Sequence, residues 1–568
     1  MSGITVGRYL FGRLKQLGIK SIFGVPGDYE LSLLDCVAET GLRWCGNPNE
    51  LNAGYAADGY ARIAGAGAVV TTFGPGELSN LCPTAGSYAE FVPVVHIVGY
   101  PTEKAQNGSN IVHHSLGEVG KGKFDIYHQM SKHITCAHTV LHDEKHAAAE
   151  IDRLLNAMLY FSQPVYLGIP ADIAMKIISP EQLKTPLITN LPANDPVLQS
   201  TVVQNIFGKI ESASNPIIIV DGGAVRHGIV SEATELIQLT GLPYFVTTMA
   251  KGSMPEHLPT FGGHYVGAVS IPAVKDVIEH SDCILLLGNY PCDTNTGTHT
   301  TTSLEKCNII DFQRFHINIG ADRFDTKTKY VLQELSQQIQ RNPIKKTQKV
   351  TWEPYPDNNM AASSGGNITH DYLWPALSRF IRNDDLIVAE TGSITFALPE
   401  ADLRHAPTCE MYNQTVWGSI GFGTASAVGA FLAGKERNAF SRNILITGEG
   451  SLQLTIQAFA DLIRHEVNPI VFVLNNDGYT VERLIHGLEA DYNSIPPWDY
   501  GAIFKALGPN YKTKYHLTKT TTELNELLTD TEFNKATYPT LVEIILGRYD
   551  APQTFLRAAE GFSKANES

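Results

Sequence analysis

Short apolar, β-branched runs alternate along this chain with longer stretches whose apolar residues recur at helical spacing. In the first third, RYLFGRLKQLG and NELNAGYAADGYARIAG carry the helical period, while SIFGV, AVVTTF, VPVVHIVGY and QPVYLGIP are compact apolar runs of strand length. A second block repeats the pattern, with strands predicted at 216–220, 244–247 and 283–288. A third holds a strand at 443–447, a helix over 451–465, a strand at 470–474 and another at 539–545. Apolar runs too continuous to alternate inside and outside belong to strands buried on both faces, so the alternation predicts parallel sheets covered by helices. Two polar stretches separate the blocks: 185–196, with three prolines, and 341–367. The prediction is an α/β chain of three doubly wound domains with mainly parallel sheets, spanning 1–185, 195–345 and 365–568.

Composition supports a globular protein and narrows its partners. A chain of 568 residues, 43% hydrophobic and 18% charged, suits about three ordinary domains. A formal charge of −15 argues against a general nucleic-acid or anionic-membrane role. No apolar run reaches the length of a membrane span, and the first residues read as an amphipathic helix, not a secretory signal. Eight cysteines, among them Cys307, are scattered without a C-x-x-C pair, which suits reduced thiols and a cytoplasmic location.

The sharpest local signal is Gly448-Glu449-Gly450, followed after twenty-four residues by Asn475-Asn476-Asp477-Gly478-Tyr479. Each part directly follows a predicted strand of one βαβ unit. The two parallel strands end on the same side, in the crevice where open α/β sheets bind ligands, so Glu449 and Asn476 can converge on one ion. Oxygen ligands of this kind suit Mg²⁺, which keeps phosphate oxygens and water in its octahedron. The spacing therefore predicts a site for a metal-bound diphosphate.

Further stretches agree with one family. GVPGDYELSLLD (24–35), NPNELNAGYAADGYAR (47–62), TTFGPGELS (71–79), His113-His114, QPVYLGIP (163–170), AETG (389–392), VWGSIGFG (416–423) and LNNDGYTVERLIHG (474–487) lie in order across the chain. The chain resembles the fungal pyruvate decarboxylase family of thiamine diphosphate enzymes. That resemblance implies pyrimidine-binding, central and pyrophosphate-binding domains, with thiamine diphosphate and Mg²⁺ as cofactors. It implies that Glu449, Asn476 and Gly478 hold the metal, and that Ser393, Gly418, Ile420, Gly450 and Ser451 join Glu50, Glu449 and Asn476 around the cofactor. Glu50 would hydrogen-bond the pyrimidine ring nitrogen, and Ile420 would hold the cofactor bent. Asp28, His113, His114 and Glu482 would manage protons after carbon dioxide leaves, and carboxylates crowded there should include one raised enough to donate near neutrality. In isolation Glu50 reads as a helix N-terminal carboxylate, Asp28 as a turn residue, Ile420 as core and Glu482 as a helix surface residue. One departure stands out: Glu449 occupies a position where the family usually has Asp.

The implied activity is non-oxidative decarboxylation of a 2-oxo acid, with pyruvate the first expectation. Rivals are a branched-chain or aromatic 2-oxo acid decarboxylase, an acetolactate synthase-like carboligase, which the His-His pair disfavours, and a catalytically impaired regulatory relative. The resemblance also implies a homodimer or homotetramer in which Asp28, Glu50, His113 and His114 of one subunit meet Ser393, Ile420, Glu449, Asn476 and Glu482 of another. No cysteine stands near Gly223, where some yeast members carry one associated with substrate activation. Two other motifs fail. Gly429 to Lys435 has P-loop spacing, but Glu436 replaces the needed Ser or Thr, and Asp221-Gly222-Gly223 lacks the remaining glycines of a dinucleotide fingerprint.

Overall fold

The computed structural model describes residues 3–108, 111–304, 308–344, 349–355 and 365–567. Cys307 and much of the second predicted linker, 345–348 and 356–364, lie outside the described residues. The seven described cysteines are free thiols. No helix among the described residues is long and apolar enough to cross a membrane.

The chain forms two compact units. The first comprises residues 1–191, 424–439 and 455–467. Six of its strands, β1 (Ser21–Gly24), β2 (Arg43–Gly46), β3 (Gly67–Thr72), β4 (Val94–Tyr100), β5 (Ala137–Val140) and β6 (Val165–Pro170), pair in parallel in the order β2-β1-β3-β4-β6-β5. Strands β3, β4 and β6 are buried throughout, as their unbroken apolar runs require. Helix α1 (Val6–Gln16) is capped by the Thr5 hydroxyl, α2 (Leu31–Glu39) follows the turn after β1, and α3 (Glu50–Ala64) starts from Asn49, whose side chain accepts from the Asn52 amide.

The second unit comprises 192–423, 440–454 and 468–568 and contains two sheets. One runs β9-β8-β7-β10-β11-β12-β13, from β7 (Pro216–Val220), β8 (Tyr244–Val246), β9 (Phe261–His264), β10 (Cys283–Leu287), β11 (Ile309–Phe312), β12 (Ile317–Ile319) and β13 (Asp322–Phe324). Its last two strands are antiparallel, which the sequence reading missed. The other is all parallel, in the order β15-β14-β16-β17-β19-β18, from β14 (Asp385–Ala389), β15 (Glu410–Tyr412), β16 (Arg442–Gly448), β17 (Ile470–Asn475), β18 (Lys514–Thr518) and β19 (Thr540–Ile545).

Between β15 and β17 come helices α4 (Phe422–Arg437), α5 (Glu449–Thr455) and α6 (Ala458–Arg464). The single helix predicted over 451–465 is thus two. Phe459 and Ala460 donate to the carbonyls of Ile456 and Gln457, three residues back, and these tighter turns interrupt the regular ladder. Most of α4 and all of α6 belong to the first unit. There α4 crosses α3 closely enough that a Cβ on Gly429 would stand 1.7 Å from the Ala56 carbonyl oxygen, so glycine is required. The rejected P-loop segment 429–435 is indeed helix.

Candidate active site

The sequence-predicted residues fall into two sets, one in each unit. In the second unit, Glu449 begins α5 directly after β16, and Asn476 follows β17. These strands are hydrogen-bonded neighbours, with Gly448 opposite Leu474, so both side chains emerge at the same sheet edge. Glu449 is 3% exposed and its Oε1 accepts from the Gly478 amide at 2.7 Å. Burial pushes its carboxyl up to about 7, the amides of Gly478, Glu449, Asn476 and Gly450 easing the shift only in part.

The Asn476 amide has two orientations with different consequences. With nitrogen facing the site it donates to the Gly478 carbonyl (2.7 Å) and to Glu449 Oε1 (3.2 Å), while its oxygen accepts from the Thr480 hydroxyl (2.9 Å). Turned over, three oxygens from Asn476, Gly478 and Glu449 face one another, and only a cation reconciles them. A carboxylate, an amide oxygen and a backbone carbonyl are the donor types that Mg²⁺ accepts, so the residues present fit the metal. Among the described residues no group of three or more His, Cys, Asp or Glu could hold a metal, which leaves this mixed oxygen set as the candidate.

A cleft opens beside this point. It is lined by Thr391, Gly392, Ser393 and Ile394 at the end of β14, by Ile420, by Gly448 to Ser451, and by residues from Leu474 to Glu482. Helix α7 (Thr480–Ile485) carries Val481 and Glu482 into that lining. Gly450 packs on Tyr479, whose ring would stand 2.7 Å from a Cβ there. Gly418, at φ +59°, is not among the described lining residues; a Cβ on it would stand 3.9 Å from Thr391. Glu390 was not anticipated. Its carboxylate accepts from the Thr391 and Gly423 amides, each at 3.0 Å, and so ties the end of β14 to the turn that follows Ile420.

In the first unit, His113 and His114 are the central residues of a turn closed by the Ser115 amide on the Val112 carbonyl. His114 takes φ +69°, and Gly74 backs it so closely that a Cβ there would meet His114 Cβ at 2.9 Å. His113 Nε2 lies 3.0 Å from Asp28 Oδ2, and the His113 ring stacks on Tyr29 at 4.7 Å. The two imidazoles approach at 4.7 Å with steeply inclined planes, so they face different directions and do not form a metal pair. Glu50 is half-buried in the first turn of α3, with Oε1 3.1 Å from where a Cβ on Gly76 would be; glycine there keeps the carboxylate accessible. Asp28, His113 and His114 are thus brought together, whereas Glu482 lies in the other unit.

Comparison with known proteins finds one family along the chain. Residues 4–124 match the family model of the thiamine pyrophosphate enzyme N-terminal TPP binding domain, 203–333 the central domain and 390–544 the C-terminal TPP binding domain. The chain is 41% identical to pyruvate decarboxylases from Aspergillus terreus and Kluyveromyces lactis and to pyruvate decarboxylase isozyme 1 of Saccharomyces cerevisiae. Each alignment covers 99% of this chain and 98% of the relative. With the oxygen set after β16 and β17 in one unit and Glu50, Asp28 and the His-His turn in the other, the chain belongs to the pyruvate decarboxylase family of thiamine pyrophosphate enzymes.

Proposed function

We propose that this enzyme decarboxylates pyruvate to acetaldehyde and carbon dioxide, using thiamine diphosphate and Mg²⁺. The observation that carries the reading is the Asp28–His113 pair beside His114, in a chain that proteins named pyruvate decarboxylase match over 99% of its length. Decarboxylation of a 2-oxo acid anion consumes one proton, which must reach the former carbonyl carbon while water is excluded. When bound, thiamine diphosphate supplies the electron sink for the departing carboxylate.

The family's motifs, matched residue by residue, support the following roles. Glu449, Asn476 and the Gly478 carbonyl would hold Mg²⁺; Gly450 and Ser451 would face the diphosphate; Ser393, Gly418 and Ile420 would hold the pyrimidine side. Glu50 would hold a proton at the pyrimidine nitrogen. Asp28, His113, His114 and Glu482 orient the substrate carboxylate and deliver the proton. These two sets are completed across a subunit interface of a homodimer, itself half of a homotetramer, in the cytoplasm. Residues 1–185, 195–345 and 365–568 are the pyrimidine-binding, central and pyrophosphate-binding domains. A panel of 2-oxo acids tests the reading: pyruvate should be the preferred substrate, and preference for branched-chain or aromatic acids would reassign it.

A further inference from the structure

Glu30 closes the turn that begins at Gly27, its amide donating to the Gly27 carbonyl at 3.3 Å, and it stands at the N-cap of α2. An acidic residue there ordinarily turns toward the first helical amides. Glu30 makes no such capping bond; its side chain runs inward between the ends of β3 and β4 and is 1% exposed. Gly99 on β4 lies against it, with room for no Cβ: one built there would stand 2.7 Å from Glu30 Oε2. Gly27 is equally close on the other side, 3.0 Å from Oε1 by the same measure, and 2.6 Å from the Thr72 hydroxyl of β3. Neither carboxyl oxygen of Glu30, nor Thr72 Oγ1, meets a hydrogen-bond partner in good geometry. A charge without a partner in so dry a place is costly, whereas a neutral carboxyl there costs far less and can turn its proton toward the Thr72 hydroxyl.

Asp28, two residues earlier, is exposed and pairs with His113. We propose that Glu30 is a positioning residue for the Asp28–His113 pair: a neutral buried carboxyl that underpins the turn from Gly27 and leaves Asp28 as the single anion facing His113. The inference rests on the decarboxylase reading above. The groups packed against Glu30 are Thr72 from β3, the Gly99 backbone from β4, and Gly27 and Asp28 from its own turn; of these only Asp28 titrates. Burial accordingly pushes the Glu30 carboxyl up to about 7, the Thr72 hydroxyl and nearby amides opposing the shift and the Asp28 charge adding to it. Ionisation of Glu30 would set a second negative charge beside Asp28 and load the turn with an unpaired buried charge, disturbing the pair the turn supports.

Two measurements test this, with the isosteric Glu30→Gln as the variant. Infrared spectra of the cofactor-free full chain, taken on the acid side of neutrality, should show a protonated-carboxyl band in the wild type that Glu30→Gln lacks; identical spectra would overturn the proposal. In the pH profile of kcat/KM for pyruvate, Glu30→Gln should keep the acid-side value within about threefold and move the alkaline limb up by about half a unit or more. An unmoved alkaline limb, or a loss uniform across pH, would overturn it. Failure of the wild type to decarboxylate pyruvate would refute the functional reading separately, and the infrared result would still decide the state of Glu30.

Discussion

The Gly478 amide donates to Glu449 Oε1 at 2.7 Å, joining the loop after β17 to the first residue of α5. A carboxylate one methylene longer than the family's usual Asp therefore still reaches the oxygen set completed by Asn476 and the Gly478 carbonyl. Glu449→Ala should weaken Mg²⁺-dependent cofactor binding severely, and Glu449→Asp should tighten it or leave it unchanged. Calorimetric titration of the metal-free protein checks both; undiminished affinity in the Ala variant would remove Glu449 from the metal site.

Glu50 sits in the first turn of α3 with Gly76 leaving its carboxylate clear. Glu50→Gln keeps the shape and loses the proton-holding charge, so the fold should survive while turnover falls by roughly 10²–10⁴-fold. Proton exchange at the cofactor C2, followed by NMR after quenching, should slow in parallel. Wild-type exchange and turnover would return Glu50 to the role of a helix-end carboxylate.

Val481 lines the cleft together with Ser393, Ile420 and Glu482, whereas Thr395 is buried outside that lining with its hydroxyl on the Glu390 carbonyl. Val481→Ile should narrow the site for longer acids. The expected effect is a fall in kcat/KM for 2-oxobutanoate and branched acids exceeding that for pyruvate by about 1 kcal/mol, the scale on which one methylene discriminates. Equal changes for every acid would show that Val481 does not set chain length.

Much of this architecture was readable in the sequence because each signal was local. The apolar runs preceding Glu449 and Asn476 could only be buried strands, and their parallel pairing follows from the connection between them. The division of that connection into α5 and α6 carries no such mark: there is no Pro or Gly within 451–465, and the break lies in which carbonyls Phe459 and Ala460 reach. Strands β12 and β13 escaped notice because three residues each are too few to establish a period. Glu30 was invisible for another reason. A polar residue just before a helix reads as a cap, and only the glycines at 27 and 99, distant in sequence, reveal the carboxyl packed between them. The stacking of Tyr29 on His113 is likewise a product of the turns, with no linear signature.

Buried neutral histidines cost stability as pH falls. His96 is fully enclosed beside the Thr71 hydroxyl, and His370 accepts from the Trp374 indole; burial holds them down to about 3 and about 4 respectively. Both are neutral when folded, while in the unfolded chain they protonate near their usual 6.5. The folded values lie below the unfolded ones, so this stability is present above 6.5 and is lost as pH falls through the window toward 4 and 3. By about pH 5 each should have cost about 2 kcal/mol. Carboxyls raised by burial, such as Glu449, act in the opposite sense over the same range, so the difference between proteins is the test: relative to the wild type, His96→Gln should gain urea stability as pH falls from 7 to 5, and an identical pH dependence in the two would contradict the buried neutral assignment.

The most direct test of the account is acetaldehyde release from pyruvate by protein stripped of cofactor and then resupplied. Acetaldehyde and carbon dioxide should form in equal amounts when thiamine diphosphate and Mg²⁺ are both restored, and with neither alone. Absence of acetaldehyde with both present, or release that is indifferent to them, would contradict the claim that this chain is a thiamine diphosphate-dependent pyruvate decarboxylase.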